Sequence, residues 1–392
     1  MKKVCAIVFL ALIAVLGIGT SVRVVVKVLP EYFLKDESKL SIATMIVFDT
    51  DRNLQREMLF HHSWIDLFGG VMRLTGADMV ADAEPEYKVF KMRNEGVTFI
   101  VNAYPPLDEN QLASIRDLKA AADTAGAESW FVCIPQKSCT REDSLGYLLR
   151  GVIDYAEQVD AYRKKIFDGY GFSVLDLVQI MHKTPGLHEA LYFRTDHHWT
   201  PDAGRWAAGQ IARVLSLPTE PLDASHFSDQ VYSERMFGSQ GERCGRFYCK
   251  TEKMTIPVPQ TDAQITLDID GEPSKTGRFE DVMRLPENEN RSNGIDFNLY
   301  AKILNGNHSY VSIRNHQNPD GKRVLLIKYS FSNVVAPYLA LVCGQVEMID
   351  TRYFEGSVAE WVRQNKPDAV MVTMTARMTN DLFSFSGQGS DS

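Results

Sequence analysis

The sequence lacks an excess of positive charge. Its 42 Lys and Arg are outnumbered by 50 Asp and Glu, giving a net charge of −8 at pH 7. Nucleic-acid binders are usually basic, so that class is set aside, and the balance fits a protein that meets neutral or sugar-like partners. Cysteine is scarce: six in 392 residues, with no CxxC pair. A structural zinc site is therefore not expected. No lipoprotein-type box precedes Cys5, so no lipid attachment is read there, and no internal repeat is visible.

What is present is the composition of a folded globular chain, 45% apolar and 23% charged. The length suffices for one large α/β domain or two modest ones. Met1-Lys2-Lys3 is followed by a charge-free run from Val4 to Val22, 19 residues long, and then by Arg23 and Lys27. A run of that length can span a bilayer as a helix. The two lysines would stay in the cytoplasm, leaving the rest of the chain outside. The expectation is a signal-anchor over 1–27; a cleaved signal peptide, with Gly17 and Gly19 before the cut, is the alternative. A single-pass membrane protein with its main domain outside the cytoplasm, or a secreted one if the signal is cleaved, follows.

Residues 28–87 read as a membrane-proximal helical segment, with MLFHHSWIDLFGGVMRL at helical spacing. His61 and His62 there read as helix-face residues rather than ligands. From residue 88 to 381 the pattern is α/β. VTFIVNAY and SWFVCIP read as strands, and DENQLASIRDLKAAADTAG as a helix closed by Gly126. Helical character follows over 143–167. LYFRTDHHWT reads as a short strand running into a loop, and Thr200-Pro201 as the cap and first turn of the next helix. Residues 218–322 are polar, with alternating pieces such as AQITLDI, and read as an insertion of β-hairpins and loops. RVLLIKYS, QVEMIDTRY and DAVMVTMT then alternate with helices, the signature of a parallel sheet covered on both faces. The Ser/Gly-rich stretch 382–392 reads as a disordered tail.

Cys133 and Cys343 lie in apolar runs and read as core. Cys244 and Cys249 sit in GERCGRFYC with four residues between them; an exported chain could join them, with Gly245 relieving strain in the loop.

Two spots carry chemistry. In Thr195-Asp196-His197-His198-Trp199 an Asp precedes a His by two residues. Its carboxylate can reach round a tight turn, fix the imidazole tautomer and stabilise the imidazolium. In Lys328-Tyr329-Ser330 a serine stands at the carboxyl end of an apolar strand, where a helix start offers N–H groups to a developing oxyanion. Each spot has other readings. Asp196, His197 and His198 are acceptable zinc ligands, which would make a metallohydrolase. The Asp could equally cap a turn, and Ser330 could be a plain helix N-cap.

The contiguous YFRTDHHWT resembles the DHHW protein family of bacteria, related to the SGNH-hydrolase-like proteins typified by alginate O-acetyltransferases. YAKILNGNHSYVSIRN, VLLIKYSFSNVVAPYLA, MIDTRYF and NKPDAVMVTM support the resemblance, which runs from about residue 55 to 378. It implies an SGNH-hydrolase-like parallel sheet flanked by helices, permuted, because Asp-His comes before Ser. It also implies Asp196 as orienting acid, His198 as general base and Ser330 as nucleophile, with Tyr300, Asn307 and Tyr329 as substrate-binding positions. The implied activity is O-acyl transfer to, or acyl-ester hydrolysis on, a cell-envelope or secreted polysaccharide. No metal or organic cofactor is implied; the acyl group would be handed on by a membrane acyltransferase. One departure stands out: relatives carry Asp just before the nucleophile, and this chain has Tyr329. That departure favours the alternative, an inactive carbohydrate-binding or assembly protein of the same fold.

Overall fold

The computed structural model describes residues 17–19, 59–81, 88–139, 153–283, 291–292 and 294–386. Most of the expected anchor lies outside them. No helix among the described residues is long and apolar enough to cross a membrane.

Helix α1 spans His61–Leu74. A three-stranded antiparallel sheet of short strands follows over 79–98. VTFIVNAY was expected to be a strand; only Val97–Thr98 pairs, and it does so in this small sheet. The chain then runs as coil towards Pro105 and Pro106, which have no N–H to give a ladder. Helix α2, Glu109–Ala125, starts on a capping box, Asp108 with Gln111, and stops at Gly126 with φ 72°. Strand β1 is Glu128–Ile134, helix α3 Ala156–Gly169 and strand β2 Ser173–Asp176. A turn of helix covers Leu187–Leu191, and where LYFRTDHHWT was expected to begin as a strand, Tyr192 and Trp199 form only a lone bridge. Helix α4, Pro201–Val214, begins as the cap residues predict: Thr200 accepts from the Ala203 N–H.

The polar stretch 218–322 is not set apart from the fold. Strands β3 (Phe227–Phe237) and β4 (Glu252–Pro259) form a long hairpin, interrupted by helix α5 (Ser239–Cys244). Strands β5 (Gln264–Ile269) and β6 (Lys275–Arg278), then β7 (Ile295–Phe297) and β8 (Tyr310–Asn315), complete it. Strand β7 joins the β3–β4 sheet. Strands β5, β6 and β8 extend the main one. Their polar and apolar residues alternate because an antiparallel edge is covered differently on its two faces.

Strands β9 (Arg323–Ile327), β10 (Gln345–Ile349) and β11 (Ala369–Thr375) close the main sheet, with helix α6 (Val358–Asn365) before the last. The order is β2-β1-β11-β9-β10-β8-β5-β6. The first five strands are parallel and the last three antiparallel. Every residue of β11 is buried, as expected of a strand covered on both faces. Residues 382–386 depart from the disorder expected of them: Leu382, Phe383 and Phe385 are buried, and Phe383 packs on Phe167. Three apolar side chains among the serines give the chain a reason to fold back.

Candidate active site

The Thr195–His198 loop is tied down from two sides. Glu252, at the start of β4, accepts from the backbone N–H of Arg194 (2.7 Å) and Thr195 (2.6 Å). Lys137, in the loop after β1, donates to the carbonyls of Arg194 and Asp196, both at 2.9 Å, and to Gln240 Oε1. Lys137 is buried, and burial pulls its ammonium down to about 8. Neither residue was singled out in the sequence. Lys137 sits where ligands of open α/β sheets gather, past the carboxyl end of a strand.

Within the loop, Asp196 Oδ1 accepts from the His198 backbone N–H at 2.9 Å and lies 2.7 Å from His198 Nδ1. This is the i to i+2 turn that short acidic side chains favour. The second oxygen accepts from the Ser239 N–H at 2.8 Å. Gly238 makes that approach possible: a Cβ there would stand 2.5 Å from Asp196 Cβ. Burial alone would raise the Asp196 carboxyl. The attraction of His198 and these hydrogen bonds outweigh it and hold the carboxylate ionised. His198 is itself pulled below its ordinary value by burial, an effect Asp196 partly offsets.

Ser330 opens a short 3-10 helix, Ser330–Val334, just past β9. Its Oγ lies 2.7 Å from His198 Nε2, although 132 residues separate the two. The structure thus brings Asp196, His198 and Ser330 into one hydrogen-bonded line. Trp199 Nε1 donates to the Phe331 carbonyl at 2.9 Å and pins the serine turn to the histidine loop. Helix α4 fits against the same turn: a Cβ on Gly204 would collide with the Val334 backbone.

The expected substrate-binding residues part company. Tyr300 is buried beneath the imidazole and stacks on it, so it does not face a substrate. Asn307 turns to Lys328, whose Nζ donates to its Oδ1 at 2.8 Å, and does not line the cleft. Tyr329 does line it, with the Arg352 guanidinium 4.2 Å from its ring centroid. Lys328 is buried and also donates to Asn333, and it pairs with Asp350 at 3.1 Å. Burial brings it down to about 8 against the pull of Asp350. Cys244 and Cys249 meet, but as free thiols with sulfurs 3.4 Å apart, a contact and not the expected bond.

The cleft has a volume of about 430 Å³. His197, Ser239 and Tyr329, the neighbours of the histidine–serine pair, are in its wall, together with Arg243, Arg352 and Arg377. Asp196, His197 and His198 also offer donor atoms within 4.8 Å of one another, close enough for a metal ion. Those atoms are already engaged. His198 meets Asp196 and Ser330 through its two nitrogens, and His197 Nδ1 lies 2.8 Å from Ser239 Oγ. The geometry therefore serves proton transfer better than metal ligation.

The family described as SGNH hydrolase-like domain, acetyltransferase AlgX, matches residues 98–262, which include the Asp-His-His-Trp motif. Two solved structures share the fold. PatB1 of Bacillus cereus, solved with a sulfonyl adduct, is 17% identical over 76% of this chain and 98% of its own, with a TM-score of 0.59. A DHHW family protein from Eubacterium siraeum is 17% identical over 80% of this chain and 99% of its own, with a TM-score of 0.57. No curated protein matches the sequence. The chain is thus similar to DHHW proteins and to SGNH-hydrolase-like acetyltransferases, as its motif suggested, and has their α/β fold.

Proposed function

We propose that the chain is a serine O-acyltransferase acting outside the cytoplasm on a cell-envelope or secreted polysaccharide. The observation that carries this reading is the unbroken line from Asp196 Oδ1 through His198 to Ser330 Oγ, with both links at 2.7 Å. His198 Nε2 takes the serine proton as Oγ attacks the acyl carbonyl. The imidazolium, stabilised by Asp196, returns that proton to the leaving group of the donor. A sugar hydroxyl then gives its proton to His198 and attacks the acyl-serine, and Ser330 recovers its own. The Ser330 N–H, which its short helix leaves unused, is a suitable oxyanion donor. The donor acyl group would come from a membrane acyltransferase partner. The cleft wall supports a carbohydrate acceptor: Tyr104, Tyr329 and Asn102 offer ring faces and hydrogen-bond donors.

The test uses an aryl acetate as donor, with and without added oligosaccharide, together with a fluorophosphonate probe. The reading expects covalent labelling at Ser330 and an acetylated sugar. Labelling with free acetate as the sole product would make the protein an esterase. No labelling and no turnover, with glycan binding retained, would support the inactive binding protein. Tyr329, in place of the Asp of relatives and packed under Arg352, is the observation on that side.

A further inference from the structure

Helix α1 is built inside out. At 100° per residue, Phe60 before it and Trp64, Leu67, Phe68, Val71 and Leu74 within it fall on one face, spanning about a third of the circumference. All six are exposed, Leu67 at 54% and Leu74 at 89%. The opposite face holds Asp66 and Gly69, the two buried residues of the helix. Asp66 accepts from the Arg246 backbone N–H at 2.6 Å and from its Nε at 2.8 Å. Gly69 lies so close to the Cys244 carbonyl that any side chain there would overlap it. The helix is therefore fixed to the protein by polar and close-packed contacts and turns its apolar side outward. Phe247, 63% exposed, rests against Gly70 and enlarges the patch. A contiguous apolar surface of this kind marks an interaction site.

We infer that this face lies in the surface of a lipid bilayer. Gly19, which belongs to the charge-free stretch Val4–Val22 of the sequence, packs against the side chain of Leu59, two residues before α1 starts. A residue of a membrane-seeking stretch thus touches the chain at the edge of the patch. With 14 residues, α1 is about 21 Å long, too short to span and of the right character to lie flat, with Trp and Phe on its apolar side. The turn that carries Phe247 also brings the exposed Lys250, a cation suited to anionic headgroups on an otherwise acidic chain. The occupant fits by chemistry on both counts. Because α5 lies against α1 and also supplies the Ser239 N–H to Asp196, this seat would hold the cleft a fixed distance from the membrane. The inference stands apart from the acyl-transfer reading.

The test reconstitutes the full chain into phosphatidylethanolamine–phosphatidylglycerol vesicles, with an environment-sensitive fluorophore on Leu67→Cys, on Val71→Cys or on Phe247→Cys. A label on Glu109→Cys, at the start of α2, serves as control. The expected result is an emission shift to shorter wavelength at 67, 71 and 247, with loss of emission when the acyl chains are brominated, and no change at 109. Emission at those sites that brominated chains do not quench would overturn the inference. Shielding independent of vesicles would then assign the face to another segment of this chain, and shielding that grows with protein concentration to a second copy.

Discussion

Tyr300 lies flat on His198. Their ring centroids are 3.8 Å apart with planes 10° from parallel, and the Tyr300 hydroxyl donates to the Ser330 carbonyl at 3.0 Å. One buried side chain therefore sets both the tilt of the imidazole and the backbone of the serine it faces. Tyr300→Phe should keep the stack and lose one hydrogen bond, about 1 kcal/mol, and so lower kcat by roughly tenfold or less. Tyr300→Ala should cost far more. Equal losses in the two variants would show that the ring plays no part.

Removing Ser330 or His198 should cost nearly the same, because the groups act as a unit. Ser330→Ala and His198→Ala should each lower turnover of an aryl acetate by at least about 1,000-fold. Turnover that survives Ser330→Ala but disappears with a chelator would transfer the chemistry to a metal held by Asp196, His197 and His198.

The pH profile follows from the environment of His198. Burial holds its pKa below 6.5, and the base works only when unprotonated. Activity should therefore rise through a midpoint below pH 6.5 and stay level above it. A midpoint clearly above 6.5 would mean that another group limits the rate. Asp196→Asn should lower kcat by roughly 10⁴-fold, through the wrong tautomer of His198.

Lys137→Met should destabilise the protein. It leaves the Arg194 and Asp196 carbonyls and Gln240 Oε1 without their buried donor. The expected loss is about 3–5 kcal/mol in a urea titration. A loss under about 1 kcal/mol would mean that water replaces the ammonium.

Gly238→Ala tests the contact beneath Asp196. The added methyl meets the Asp196 Cβ and carboxylate, so the loop must shift. Turnover should fall well over tenfold while the far-UV circular dichroism stays unchanged. Wild-type turnover would show that the loop moves without penalty.

Much of the arrangement was legible in the chain because it is written locally. Asp108, Thr200 and Ser357 each cap the helix they precede. The apolar runs at 323–327, 345–349 and 369–375 are parallel strands. The Asp-His pair could be read because two residues separate the partners. What stayed hidden acts over long sequence distances. Lys137 grips the loop across 59 residues and Glu252 across 57, and neither position carries a local pattern. Tyr300 was noticed but misplaced, since nothing in its neighbours tells a ring beneath the imidazole from one facing a ligand. The polar stretch 218–322 looked separate because its strands alternate, yet three of them, β5, β6 and β8, pair onto the main sheet.

The order of strands has a consequence for when the protein becomes competent. Strand β1, whose loop supplies Lys137 to the histidine turn, does not touch β9, which carries the serine. Strand β11, the last of the sheet, lies between them and pairs with both. A chain emerging amino-terminus first would present Asp196 and His198 long before it could seat them against Ser330. Until residues 369–375 slot between the two halves, the sheet is split at its centre, and the strand whose loop grips the histidine turn has no neighbour to align it with the strand before Ser330. Such a topology leaves the final alignment of Asp196, His198 and Ser330 to the last strand of the sheet to be made, a non-local pairing of the kind that forms late.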